Sequence, residues 1–420
     1  MSPVTSYQRL LALAGPGYVV VAFLGRLPLA MSQLGTLLLV SSATGRYAVG
    51  GLAAGALAVA NAVGAPVAGG VADRVGQRPV VLVQSLVSSA ALIALVTFVA
   101  ADVPLMVIVV AAAMAGLSMP QIGPMARIRW RPITRHAGSS QPRLVDAAFS
   151  YEGAADEASF VVGPAVVGAI AVVINAAAAL VVAAAVLSVF GCWFAMHPTA
   201  ELAHARPHVT SGRRAALVTA NLMVLAVAQL LIGVVFGAVQ TGTAVLATSQ
   251  GRPGLAGLVH ALLGVGSVVA GLAATGLPAR FGYERRILVF AGGLLALSAP
   301  LLLVDSLGGL VIAVTVLGFA VAPYMISVFV LAERIVPLAR MGTAMTLLAG
   351  ATGIGYAMGS GLAGSLADSG GQTPAFAVAV VSGGLTVVLA LGTQRRLSLA
   401  QSQPVGSSSA YDSCRVSSAT

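Results

Sequence analysis

Long apolar segments, separated by short polar ones, form the dominant pattern along the chain. A helix needs about 20 apolar residues to cross the ~30 Å hydrocarbon core of a bilayer. Twelve segments come close to that length or exceed it, and they lie at residues 16–41, 47–72, 80–100, 104–126, 146–172, 175–196, 215–247, 255–277, 287–304, 307–331, 341–366 and 374–392. The pattern therefore predicts an all-α membrane protein with twelve transmembrane helices.

The composition supports a membrane environment. Of the 420 residues, 58% are hydrophobic and 8% are charged, whereas soluble domains carry roughly 25% charged residues. The net charge of +10 would suggest nucleic-acid binding in a soluble protein, but here the arginines fall in short loops between apolar spans. We therefore expect the lipid bilayer, and no nucleic acid, as the surroundings of this chain.

The arginines between the spans predict the orientation. If the N-terminus is cytoplasmic, 19 arginines lie on the cytoplasmic side, Arg46 and Arg252 lie outside, and Arg26 lies within a span. This asymmetry is the positive-inside pattern. It predicts a multi-pass protein of the inner or plasma membrane, with both termini and the loop at residues 127–146 in the cytoplasm.

The polar stretches also predict the domain organisation. They divide the chain into an N-terminal six-helix bundle, a cytoplasmic central loop, a C-terminal six-helix bundle and a disordered Ser-rich tail, at residues 1–196, 197–214, 215–396 and 397–420. A shift of 206 positions aligns residues 70–76 with 276–282. Duplication explains this repeat, although Ala279 in the second copy replaces the acidic Asp73 of the first.

A Gly-x-x-x-Asp-Arg-x-Gly-x-Arg pattern occupies the turn between the second and third spans, and it consists of Gly69, Asp73, Arg74, Gly76 and Arg78. Gly69 permits close helix contact, Gly76 permits a tight turn, and Asp73 places a charge at a helix end. The pattern and its place resemble the signature loop of the major facilitator superfamily. The resemblance implies two pseudo-symmetric six-helix bundles around a midplane cavity, and it assigns gating to the loop.

Four charged residues lie inside apolar spans, where each costs at least ~2.5 kcal/mol. Glu152, Asp156 and Glu157 lie in the fifth span and Arg26 lies in the first. Arg26 and Asp156 are each about ten residues from the start of their span, which is a depth of roughly 15 Å. We therefore predict a buried ion pair of Arg26 with Asp156 or Glu157. A structural role in fixing helix register and a role in proton coupling are both open.

A Gly-Pro segment follows these acids, with Gly163, Pro164 and Gly168. It resembles the fifth-helix motif of drug antiporters in this superfamily, except that Val167 stands where those relatives usually have a second glycine. Close helix packing with a kink is the alternative interpretation. The fourth span, at residues 115–121, lacks the mid-span basic residue that drug-antiporter relatives carry.

The resemblance also selects candidates for the central cavity, which the first, fourth, seventh and tenth helices line in this family. The polar residues that it selects are Gln33, Gln121, Gln229 and Tyr324. A hydrogen bond between helices is the alternative role for each of them.

Together these features predict a secondary active transporter that works by alternating access. The expected activity is proton-coupled efflux of an apolar or amphipathic small molecule by a monomer. An importer of a metabolite such as a sugar or amino acid would share the architecture, and a non-transporting receptor or scaffold fits the duplicated loop least. The sequence contains no catalytic triad, metal-ligand cluster or phosphate loop. We therefore expect no enzyme activity, metal or cofactor, with the proton gradient as energy source.

Overall fold

A computed structural model describes residues 3–44, 47–203, 219–252, 255–278, 281–337 and 340–402. Its helices are α1 (Pro3–Ala14), α2 (Pro16–Thr44), α3 (Tyr47–Val75), α4 (Gln77–Ala100), α5 (Leu105–Leu117), α6 (Ile122–Ile133), α7 (Gln141–Val173), α8 (Ala176–Met196), α9 (Ala220–Ser249), α10 (Ala256–Ala273), α11 (Tyr283–Leu303), α12 (Leu307–Ile335), α13 (Met341–Gly370) and α14 (Gln372–Ser402).

Helices α2 to α14 form the twelve predicted spans, with α5 and α6 together making the fourth. Within the described ranges, ten segments are individually long and apolar enough to cross a bilayer. The other two spans are α10, which with the helical turn that follows it contains the shorter apolar segment Ala261–Gly276, and the glycine-rich α13. The prediction of an all-α membrane fold with twelve transmembrane helices is confirmed.

Equivalent glycine contacts occur in the two halves. A Cβ atom on Gly116 of α5 would collide with the carbonyl of Leu57 on α3, and one on Gly318 of α12 would collide with the carbonyl of Leu263 on α10. Leu57 and Leu263 are 206 positions apart, the same shift that aligns the two loops. Small residues at these crossings let the backbones approach closely, which is how helices associate in lipid.

The fourth span differs from its prediction. The helix is interrupted after Leu117, where Pro120 lies in the break, and α6 then continues to Ile133 rather than ending at residue 126. Arg127 and Arg129, which were expected in a cytoplasmic loop, are therefore buried on a helix. The helix extends beyond the apolar run because polar groups inside the bundle bind both guanidinium groups.

The chain ends of the bundles also differ from the prediction. Helix α14 reaches Ser402, so residues 397–402 of the predicted disordered tail are helical. In the central segment, Thr199–Leu202 forms a helical turn. The remaining parts of these two segments, residues 204–218 and 403–420, lie outside the described residues.

Helix α1 precedes the first span and was not predicted. Leu10 is 3% exposed and packs in a cluster with Tyr18 and Trp130. The hydroxyl of Tyr7 donates a hydrogen bond to the carbonyl oxygen of Leu272 on α10 at 2.8 Å. Helix α1 therefore connects the two halves at one end of the molecule. We call this end, where α3 finishes at Val75, the arginine-rich face.

Candidate functional site

A cluster of buried charges joins the first, fourth and fifth spans. Its members, which we call the charge cluster, are Arg26, Arg127, Trp130, Glu152 and Asp156. The Arg26 guanidinium contacts Glu152 Oε2 at 2.6 Å and Asp156 Oδ1 at 2.9 Å. Because Glu152 and Asp156 are four residues apart on α7, both carboxylates face α2. Arg26 is 4% exposed and Glu152 is 0% exposed, so this ion pair is desolvated.

The other oxygens of both carboxylates bind α6. Arg127 Nη2 donates to Asp156 Oδ2 at 2.7 Å, and Trp130 Nε1 donates to Glu152 Oε1 at 2.7 Å. Each carboxylate thus bridges two helices. Arg127 is a buried basic residue of the fourth span, although it lies beyond the mid-span segment 115–121, which contains none. Neither Arg127 nor Trp130 was selected from the sequence, although their spacing of three residues places them on one helix face.

Arg127 also contacts the second bundle. Its guanidinium carbon lies 4.3 Å from the ring centroid of Phe329 on α12, which is cation–π geometry. Its Nε and Nη1 atoms are buried without a hydrogen-bond partner among the described residues. The charge cluster is therefore linked to the interface between the bundles through one aromatic ring.

Glu157 lies apart from the charge cluster. It is 8% exposed, and it points towards Ser267 on α10 rather than towards Arg26. Successive helical residues are rotated by about 100°, which turns Glu157 away from the face shared by Glu152 and Asp156. Of the two partners predicted for Arg26, Asp156 is in contact and Glu157 is not.

Asp73 forms a contact between the bundles at the arginine-rich face. Its Oδ1 accepts the backbone N–H of Gly342 at 2.7 Å, and its Oδ2 accepts the N–H and the hydroxyl of Thr343 at 2.8 and 2.6 Å. These groups lie in the first turn of α13, where free N–H donors and the helix dipole favour an anion. Gly69 allows this approach, since a Cβ atom there would collide with Thr346 and with the Gly342 carbonyl.

The remaining residues of the loop stay within the first half. Gly76 has φ of 92° and ends the turn before α4, a conformation that favours glycine. Arg74 is exposed, and Arg78 pairs at 3.0 Å with Glu201 in the same half. Both side chains of the latter pair are more than half exposed, at 53% and 72%. Ala279, in the second copy of the loop, lies outside the described residues.

Two further ion pairs connect the halves at the arginine-rich face. Arg334 Nη2 on α12 binds Asp146 of α7 at 3.0 Å, and Arg131 Nε of α6 lies 3.2 Å from Glu333 of α12. Together with Asp73 and Tyr7, these contacts hold the arginine-rich face closed. Each of them is non-covalent, so a rocking motion can break and remake them.

The predicted cavity residues lie mostly between helices in this conformation. Tyr324 is 0% exposed and its hydroxyl donates to the Ala228 carbonyl at 3.3 Å. Gln229 is also 0% exposed and accepts from Thr352 at 3.5 Å. Gln121 is buried in the break of the fourth span, while Gln33 is half-buried.

The Gly-Pro segment contacts α2 at one glycine only. A Cβ atom on Gly163 would lie 2.9 Å from the Cβ of Ala30, whereas the space beside Gly168 is open. Pro164 lies within a continuous α7. On the part of α7 before this segment, α2, α7 and α10 line an open groove of about 410 Å³ that is almost entirely apolar. In the described part of the chain, no group of three or more His, Cys, Asp or Glu residues could hold a metal ion.

The comparisons with known proteins agree with this architecture. The family model described as Major Facilitator Superfamily matches residues 17–309 and 225–408. No curated protein matches the chain significantly in sequence.

Similar solved structures cover nearly the whole chain at low identity. The human organic anion transporter is 18% identical with a TM-score of 0.67, and the alignment covers 89% of this chain and 98% of that one. A bacterial homologue of the iron transporter ferroportin, in an outward-facing state, is 16% identical with a TM-score of 0.69 and coverages of 91% and 98%. The Escherichia coli fucose:proton symporter is 13% identical with a TM-score of 0.62 and coverages of 90% and 98%. At these identities the likeness concerns the fold.

Proposed function

The chain is a member of the major facilitator superfamily, a family of membrane transporters, and from this premise we infer that it exports an apolar or amphipathic small molecule by proton-coupled alternating access. The observation that carries the proposal is the non-covalent contact of Asp73 with the start of α13, which closes the arginine-rich face, together with the buried carboxylates in the spans. Alternating access requires a barrier of this kind on each side of the membrane, one of which closes as the other opens.

Two features support export of an apolar substrate. The Gly-Pro segment of α7 resembles that of drug antiporters, and the groove between α2, α7 and α10 offers an apolar surface at the junction of the two halves. Import of a metabolite is the second candidate function. It is favoured by the likeness to the fucose:proton symporter, which is by its name a proton-coupled sugar transporter.

Accumulation of a panel of cationic, neutral and anionic dyes in cells with and without the protein tests the proposal. We expect lower accumulation of at least one dye in cells that contain the protein, and a return to the control level when the proton gradient is collapsed. Cells with the loop variant Asp73→Asn, in which we expect slow turnover, serve as the matched control for expression. Equal dye accumulation combined with faster uptake of a labelled sugar or amino acid would favour the importer instead.

The proposed orientation places the arginine-rich face in the cytoplasm, because most arginines lie there. In a background without Cys192 and Cys414, we expect a cysteine at Ser139, which is exposed on this face, to be protected from an impermeant thiol reagent in intact cells. A cysteine at Ala101, exposed on the opposite face, is the control that should react. Labelling at residue 139 with protection at residue 101 would indicate the opposite topology.

A further inference from the structure

Several acidic side chains of the described helices contact a cation or an N–H donor. Glu152 and Asp156 bind arginines, Glu333 lies within ion-pair distance of Arg131, and Asp73 accepts three hydrogen bonds from α13. Glu157 is different. It is about nine-tenths buried, yet no cation of the described residues lies within ion-pair distance of its carboxyl group.

Glu157 lies at the centre of a contact between the two bundles. It is midway along α7, and α7 packs against α10 of the second half. Small residues of α10 form this contact: a Cβ atom on Gly264 would touch Val161, and one on Gly271 would lie 3.7 Å from Ala154. Small residues at such a contact let the two helices approach closely.

Ser267 lies between those two glycines and next to Glu157. Its side chain is 0% exposed, and among the described residues no group forms a hydrogen bond of good geometry with its hydroxyl. A buried hydroxyl without a partner is costly. It can either donate to a carboxylate or accept from a carboxylic acid, so it suits both protonation states of Glu157.

The charged groups on the helices around Glu157 are engaged elsewhere. Arg26 on α2 and Arg127 on α6 bind the charge cluster, and Arg334 on α12 binds Asp146 at the arginine-rich face. On its own helix, Glu152 and Asp156 are held by those same arginines. On α10, His260 is the one titratable residue; it is seven positions from Ser267, about 10 Å along the axis, and its side chain lies outside the described residues. In α8 the titratable residue is Cys192, and in α1 Arg9 is exposed at the surface.

A carboxylate without a cation is strongly disfavoured in a low-dielectric interior, whereas the neutral acid is not. We propose that Glu157, paired with Ser267 at the α7–α10 contact, is the proton-binding site of the transport cycle, while the charge cluster stays ionised throughout. The assignment rests on the proposed proton-coupled transport and names the group that performs the coupling.

The proton step balances within this site. While the contact is closed, Glu157 is a carboxylic acid. When α7 and α10 separate and water enters on one side, the O–H bond breaks, one proton passes to water and a hydrated carboxylate remains. After the bundles rock back and the site is open to the other side, the carboxylate takes one proton from the water there. One proton therefore crosses the membrane per cycle, without any change in Arg26, Glu152 or Asp156.

Infrared difference spectroscopy of the purified protein at neutral pH tests the protonation directly and needs no substrate. Subtraction of the Glu157→Gln spectrum from the unsubstituted one should reveal one protonated carboxyl band. Glu201→Gln, which removes an exposed acid, should reveal the bands of an ionised carboxylate instead. If Glu157→Gln does not fold, Ser267→Ala should shift the frequency of the same band. A carboxylate band in the Glu157 difference spectrum, or an unshifted acid band in Ser267→Ala, overturns the assignment.

Transport in proteoliposomes tests the coupling. With a dye selected by the accumulation panel, uptake by the unsubstituted protein should accelerate under an imposed pH gradient, and this acceleration should be lost in Glu157→Gln. An equal acceleration in Glu157→Gln overturns the proposal. Absence of any dye transport by the unsubstituted protein would instead contradict the proposed export. The infrared bands would then still test the protonation of Glu157, because they need no substrate.

Discussion

The substitution Arg26→Met is expected to lower the free energy of unfolding by about 3–5 kcal/mol, the range typical of breaking a buried ion pair, and to abolish transport. Arg26 is 4% exposed and neutralises two carboxylates of α7. Without it, the one side-chain partner left to Glu152 among the described residues is the indole N–H of Trp130. A buried charge that has lost its counter-ion cannot recover the hydration that folding removed.

The double variant Arg26→Met/Glu152→Gln should be more stable than Arg26→Met alone. Removing the stranded charge restores part of the lost free energy, and the coupling between the two substitutions measures their interaction. The measurement is the thermal unfolding midpoint in detergent, together with dye transport in cells. Arg78→Met is the matched control: its ion pair with Glu201 is exposed, and such pairs contribute about 0–1 kcal/mol. Equal midpoints for the single and double variants would contradict a direct Arg26–Glu152 interaction.

The substitution Asp73→Asn is expected to reduce turnover strongly by weakening the closed state of the arginine-rich face. The carboxylate accepts three hydrogen bonds from the start of α13. An amide has one acceptor oxygen, and its NH₂ group would face the N–H donors of α13. Each hydrogen bond to a charged group contributes about 1.5–3 kcal/mol. Loss of about 3 kcal/mol would change the ratio of closed to open states by roughly 100-fold.

Cysteine accessibility provides the measurement for this shift. Thr346 is 0% exposed and lies against Gly69 in the contact between α3 and α13. A cysteine at this position should react slowly with a thiol reagent in the unsubstituted background and faster with Asp73→Asn. Asp102→Asn, at a helix end on the opposite face, is the matched control and should leave the rate unchanged. If Asp73→Asn leaves both the labelling rate and transport unaltered, the contact has no role in gating.

Depth along the helices could be predicted from the sequence for two members of the charge cluster. Arg26 and Asp156 were matched because each lies about ten residues into its apolar segment, and they form an ion pair. Arg127 was missed because it lies beyond the end of the apolar run. In a hydropathy pattern, a buried arginine that has an internal partner is indistinguishable from an arginine in a cytoplasmic loop.

The sequence by itself determined the number of spans, the duplication and the helix faces, because these depend on the length of apolar runs and on the 100° rotation per residue. Only the tertiary structure decided which neighbour each face meets. It turns Asp156 towards α2 and Glu157, the next residue, towards α10. Among the described residues, Asp156 therefore has two cations within ion-pair distance and Glu157 has none. It also supplies Asp73 with backbone N–H groups about 270 positions away. Such donors exist in every residue except proline, so no side-chain pattern can reveal them.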